Sequence, residues 1–253
     1  MLNKNRYLVI GGGGLLGSHL VSEILLTGAE VIAVDRDLDL MKKTLVSLSI
    51  QLDSPKLHLN SLDITNEAET KKFFNEIDRI DGAVNCSYPR GENYGAAFFE
   101  VSQKDFNHNV ALHLGSAFLL MRECASYFNK NKHAFSLVNL ASIYGSSAPD
   151  FSIYKDTDMT MPIEYAAIKS AIIHMNKYVA SFVSNSLFRV NSVSPGGLKS
   201  DQPKSFIDSY AKKTLGHGMI SPKDVTGSII FLLSDTSNYI NGQDVVVDDG
   251  FSL

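Results

Sequence analysis

The chain is short of everything that marks a secreted, membrane or nucleic-acid-binding protein. It has two cysteines, Cys86 and Cys124, in 253 residues. Their separation makes no metal-ligand spacing, so a disulfide scaffold or a zinc module is excluded and two reduced thiols in a reducing compartment are expected. No metal site is expected either. There is no run of about 18 apolar residues, and the segment before the first apolar stretch is too short for a signal peptide, so a cytoplasmic protein off the membrane is expected. The 23 basic and 27 acidic residues leave a formal charge of -4 with no block of like charge. Nothing is therefore suited to neutralising a nucleic-acid backbone or an anionic bilayer. No Pro, Gly or Ser-rich linker, repeat or low-complexity segment breaks the chain, so one domain over 1–253 is expected.

What the chain does have is alternation. Short β-branched runs at 7–10, 31–34, 57–60, 82–85, 136–140, 188–193 and 244–247 read as strands. Longer helical patterns at 15–27, 37–48, 66–77, 103–128, 164–183 and 222–234 lie between them. This order predicts an α/β fold: a single-domain, doubly wound Rossmann arrangement of a mostly parallel seven-stranded sheet with helices on both faces. Ligands of such folds bind beyond the carboxyl ends of the strands, where strand order reverses. The aperiodic connections 88–98, 146–162 and 197–221 follow three of those ends and are the expected walls of a small-molecule site.

The first turn, Gly11-Gly12-Gly13-Gly14-Leu15-Leu16-Gly17, joins a strand to a helix. Glycines let the backbone turn tightly and approach a pyrophosphate, while the helix N-terminus offers free N–H groups. Asp35 ends the second strand 24 residues after Gly11, placed to accept ribose hydroxyls and repel a 2′-phosphate. NAD is expected over NADP, although the neighbouring Arg36 offers the phosphorylated form a partner. On the helix opened by Glu164, Tyr165 and Lys169 stand four apart on one face. A nearby ammonium would draw the phenol pKa down from ~10 and make Tyr165 a usable proton carrier.

Over essentially its whole length the chain resembles the short-chain dehydrogenases/reductases. Tyr165 and Lys169 match the YxxxK signature, Ser142 in Asn139-Leu140-Ala141-Ser142 the active-site serine, and Asn109 the asparagine of the fourth helix. Asp63, followed by Ile64, resembles the acid that contacts adenine. Asn85, Cys86 and Ser87 stand in the family's NNAG, while Asn191 and the run Ser194-Pro195-Gly196-Gly197-Leu198 resemble the segment along the nicotinamide, with Ser200 where a threonine often touches the carboxamide. The resemblance implies a hydride transfer between substrate and nicotinamide. Tyr165 would exchange the proton, and Lys169 would lower its pKa and hold the ribose. Ser142 would stabilise the reacting oxygen, and Asn109 would anchor a water that links Lys169 to solvent.

Departures from the pattern narrow the substrate. Tyr88 replaces a small residue that lets the cofactor lie close, which alters the local backbone path; Leu15 stands where the short branch has glycine, and 22 residues separate Ser142 from Tyr165. The last two features, with Tyr144-Gly145 and Pro162, lean towards the extended, sugar-nucleotide-modifying branch. Tyr88, Tyr94 and Tyr154 offer aromatic faces, Asn93 and Lys155 offer donors, and Arg90 could fork onto a phosphate or carboxylate. The pieces Asn85-Cys86-Ser87-Tyr88-Pro89-Arg90 and Met161-Pro162-Ile163-Glu164-Tyr165 are similar to a bacterial subgroup linked to flagellin modification and acidic-sugar pathways. The expectation is an NAD-dependent oxidoreductase on a sugar or sugar derivative. A 3-oxoacyl-thioester reductase and a non-catalytic NAD-binding module are the alternatives. Phe118, Leu119, Ile172, Ile173 and Val179 give two helices a wide apolar circumference, which together with the resemblance implies a homodimer or homotetramer.

Overall fold

The computed structural model describes residue 2 and residues 5–155 and 157–253, so position 156 of the 146–162 connection lies outside it. Seven strands form one sheet: β1 (Arg6–Ile10), β2 (Glu30–Asp35), β3 (Leu57–Ser61), β4 (Gly82–Asn85), β5 (Phe135–Leu140), β6 (Phe188–Pro195) and β7 (Asp244–Val247). Every pairing is parallel, in the order β3-β2-β1-β4-β5-β6-β7. Successive strand residues point to opposite faces. Leu8 and Ile10 thus enter one core with α3 (Glu67–Glu76), α5 (Gly115–Asn131) and α6 (Ile163–Val183), while Tyr7 and Val9 enter the other with α1 (Leu15–Leu26), α2 (Leu38–Ser47) and α8 (Pro222–Leu233). The predicted doubly wound fold is what the chain forms.

The helix expected over 103–128 is interrupted. α4 (Gln103–Asn109) passes into one π-turn, Val110–Leu114, before α5 begins. π-turns accommodate an extra residue and are frequent at functional sites; here the turn follows buried Asn109 and carries buried His113. The 197–221 connection is not structureless: it contains α7 (Lys204–Ala211). Phe206 and Tyr210 of α7 join Ile153, Tyr154 and Met219 in a third, smaller cluster, with Phe251 packed against it. That cluster seats α7 beside the cleft described below.

The apolar circumference of α5 and α6 is mostly used within the chain. Leu119 and Ile172 are buried, and Ile173 and Val179 pack against the same core. Among the described residues, the large apolar side chains these helices leave exposed are Phe118, Tyr178 and Phe182, with Ile163 at the start of α6.

Candidate active site

Strand order reverses between β1 and β4, and their carboxyl ends open a cleft of about 1080 Å³. At one end of it the glycine turn is built by close approach. Gly11 has φ +77°, and a Cβ there would come within 2.9 Å of the Cys86 carbonyl carbon. A Cβ on Gly17 would lie 2.0 Å from the Gly11 oxygen, so both positions need glycine. Gly11, Gly14, Leu15 and Leu16 line the cleft, as do Asp35, Arg36, Asp63 and Ile64 from the ends of β2 and β3. The Asp35 carboxylate accepts from Gly13 N at 3.0 Å and so ties the turn to β2. This cradle of bare backbone, helix N-terminus and strand-end carboxylates fits a dinucleotide.

At the other end three elements converge. Tyr165 and Lys169 project from the first two turns of α6, and Ser142 follows β5. Gly145 lets the chain after Ser142 lie against α6, because a Cβ on it would meet the Lys169 carbonyl carbon at 2.8 Å. Lys169 Nζ donates to Leu140 O at 2.6 Å and stands 5.5 Å from the Tyr165 ring centroid. The geometry is as expected, but the electrostatics are not. Burial pushes the Lys169 ammonium down to about 7. Burial also raises the Tyr165 phenol, with the Ser142 hydroxyl partly offsetting it. Desolvation therefore governs both groups, and the phenol is drawn down by the Ser142 hydroxyl, not by the cation.

Cys86, Ser87, Pro195, Gly196, Leu198 and Ser200 line the middle of the cleft. Five expected residues do not, and two of them, Asn191 and Ser194, are buried in β6: Asn191 Nδ2 donates to Ile240 O and its Oδ1 accepts from Gln243 N, while the Ser194 hydroxyl donates to the Asp244 carboxylate. Gly17 serves the turn from beneath. Asn85 is buried, and its Oδ1 accepts both the N–H and the hydroxyl of Ser87. Asn109 is 2% exposed; its Oδ1 accepts from Gly91 N at 2.8 Å and its Nδ2 donates to Asp105 O and to Glu164 Oε1. The Asn109 side chain thus ties loop to helix, using both Nδ2 hydrogens and one of the two lone pairs of Oδ1.

The connections behave unevenly. Tyr88, Arg90, Tyr94 and Tyr154 reach the cleft. Lys155 is exposed and outside its lining, and Asn93 turns away to Asp105 at 3.0 Å. Tyr88 packs edge-on against Tyr165 and His113, and its hydroxyl meets that of Tyr94. Residues not singled out from sequence complete the wall: Met159, Phe206, Tyr210 and Met219, with Gln202 beside them. The α7 members were discernible in the apolar spacing of Phe206, Ile207 and Tyr210 after Pro203.

Fold and cleft together define a doubly wound protein with a dinucleotide crevice ending in a Ser, Tyr and Lys constellation. The family model described as enoyl-(acyl carrier protein) reductase matches residues 16–252. The chain belongs to the short-chain dehydrogenase/reductase family and is an oxidoreductase. It is 33% identical over 258 residues to the post-translational flagellin modification protein A of Campylobacter coli, covering 100% of both chains. A 3-oxoacyl-[acyl-carrier-protein] reductase of Thermotoga maritima is 26% identical, with 97% of each chain covered. The crystal structure of a short chain dehydrogenase from Leptospira borgpetersenii with bound NAD+ is 31% identical and superposes with a TM-score of 0.87, over 99% of this chain and 94% of that one.

Proposed function

We propose that the protein is an NAD-dependent oxidoreductase acting on the carbonyl or alcohol of a sugar or sugar derivative, in the synthesis of a bacterial surface glycan or flagellin modification. The observation that carries the reading is the sharing of one cleft: Tyr165, Lys169 and Ser142 line one end of it, the glycine turn and Asp35 the other. NAD, when bound, would supply the hydride chemistry. Tyr165 gives or takes the proton at the substrate oxygen, and the Ser142 hydroxyl hydrogen-bonds that oxygen as charge develops there. Lys169 would hold the nicotinamide ribose, Asp35 the adenosine ribose hydroxyls, and Asp63 with Ile64 the adenine end. Full-length similarity to a flagellin modification protein and the tyrosine-rich wall support the sugar.

Met159, Met161, Phe206 and Met219 in the lining support a second reading, reduction of a 3-oxoacyl thioester, as does the Thermotoga relative. NADH oxidation across sugar phosphates, nucleotide sugars and keto-acyl compounds separates the two, and turnover confined to keto-acyl or steroid substrates removes the sugar. Tyr165→Phe tests the chemistry itself. NAD binding survives while turnover falls by about 10²–10⁴-fold; a variant that keeps its rate defeats the assignment. The protein works in the cytoplasm as a homodimer or homotetramer that covers Phe118, Tyr178 and Phe182, and a monomer by light scattering at micromolar concentration overturns that.

A further inference from the structure

We infer that the catalytic end of the cleft contains a subsite for an anionic group of the substrate, centred on Arg90 and positioned by Glu164 through Asn109. The substrate is then a sugar bearing a phosphate or a carboxylate. This rests on the sugar reading above and narrows it.

Charge along the cleft is segregated. Its lining carboxylates, Asp35 at the end of β2, Asp37 just after it and Asp63 after β3, share their end with Arg36, whereas the Tyr165 end presents Arg90 and Lys169 with no lining acid. Arg90 makes no ion pair among the described residues. A recess with one sign of charge concentrates ligands of the other. The Arg90 guanidinium lies 5.4 Å from the Tyr88 ring centroid, and that ring lies 5.6 Å from the Tyr165 ring. The cation and the reacting phenol thus both contact one ring, that of Tyr88, in the wall of the same cleft. Leaning on a ring leaves the planar fork free for two oxygens at once.

The loop that carries Arg90 is tied to the catalytic helix. Gly91 N donates to Asn109 Oδ1, and Asn109 donates in turn to Glu164, the residue before Tyr165, which is 0% exposed. Gly91 also sits so close to His108 that a Cβ would meet its ring at 2.6 Å. Glu164 does not line the cleft; its part is to hold the loop. The tie fixes the backbone beside Arg90, whose exposed side chain rests on the Tyr88 ring.

Thermal melting of the NAD-loaded protein tests the subsite, with glucose 6-phosphate, glucuronate, glucose and inorganic phosphate as probes. The expected result is that one or both anionic sugars stabilise the protein where glucose at the same concentration does not; which of them does distinguishes phosphate from carboxylate. Arg90→Ala weakens that response by about tenfold to a hundredfold, and Arg90→Lys restores part of it. Glu164→Ala weakens it with the response to NAD intact, whereas Glu164→Gln, which retains the acceptor for Asn109, restores it. Equal stabilisation by glucose, an unchanged response in Arg90→Ala, or phosphate acting only on cofactor-free protein at the glycine turn overturns the subsite. If NAD itself fails to raise the melting temperature, the dehydrogenase reading falls instead.

Discussion

Replacing Lys169 by methionine tests the electrostatics of the site with neither cofactor nor substrate present. Lys169 is 4% exposed, and burial brings its pKa from 10.5 to about 7. Between those values the unfolded chain carries a proton that the folded chain lacks, so the stability of the ligand-free protein rises with pH across that window. The slope from this group is at most ~1.4 kcal/mol per pH unit. Below about pH 7 both states are protonated, and the whole cost of the buried ammonium remains, with a ceiling on the order of 4–5 kcal/mol. Methionine keeps the length and removes the charge, but it orphans Leu140 O, which costs about 1–3 kcal/mol. Lys169→Met should therefore be the more stable protein at pH 6, by about 1–3 kcal/mol, and its advantage should shrink or reverse by pH 8.5. Urea unfolding of both proteins over that range measures the difference. The raised thiol pKa of buried Cys124 lowers stability only at higher pH and is common to both, and that of Cys86, which faces Lys169, also acts only at higher pH. Parallel curves, or a variant less stable at pH 6, would refute the reasoning.

Two further substitutions test the cofactor end. Gly17→Ala places a methyl where the Gly11 oxygen lies, 2.0 Å away; forcing the turn open at about 1–3 kcal/mol should cut NAD affinity about tenfold or more by calorimetry. Unchanged affinity would mean that the turn does not carry the cofactor. Asp35→Asn removes the charge that repels a 2′-phosphate while Arg36 stays in the lining. The ratio of NADP to NAD affinity should rise about tenfold for each ~1.4 kcal/mol of relieved repulsion, and a fixed ratio would dissociate Asp35 from cofactor choice.

The sheet was legible because buried parallel strands leave a local trace, short β-branched runs such as Val31 to Val34 between helical periods. Site residues carried by strand ends followed directly: once β2 ends at Asp35, the backbone fixes where that carboxylate goes. What stayed hidden was non-local. The apolar face of α7 has its partners at Ile153, Tyr154 and Phe251, far along the chain, so the spacing of Phe206, Ile207 and Tyr210 marks a helix without showing what it covers. The π-turn after Asn109 likewise depends on tertiary contacts, His113 against Tyr88 and Asn109 against Glu164.

The loop residues show why composition is a poor guide to a binding wall. Arg90, Asn93 and Lys155 were equivalent as donors on flexible-looking connections, yet one reaches the cleft, one caps onto Asp105 and one faces solvent. A strand residue's direction follows from the pleat, whereas a loop residue's direction follows from whatever pins its neighbours. For Arg90 that pin is Gly91 on Asn109 on Glu164, a path across three segments. The pair at the centre teaches the same point about energy. Spacing of four correctly brought Tyr165 and Lys169 onto one face, but the sign of their pKa shifts is set by how much water the surrounding chain removes. At 4% exposure Lys169 is governed by desolvation before it is governed by its neighbour, so a charge pattern alone predicts proximity and leaves protonation to the packing around it.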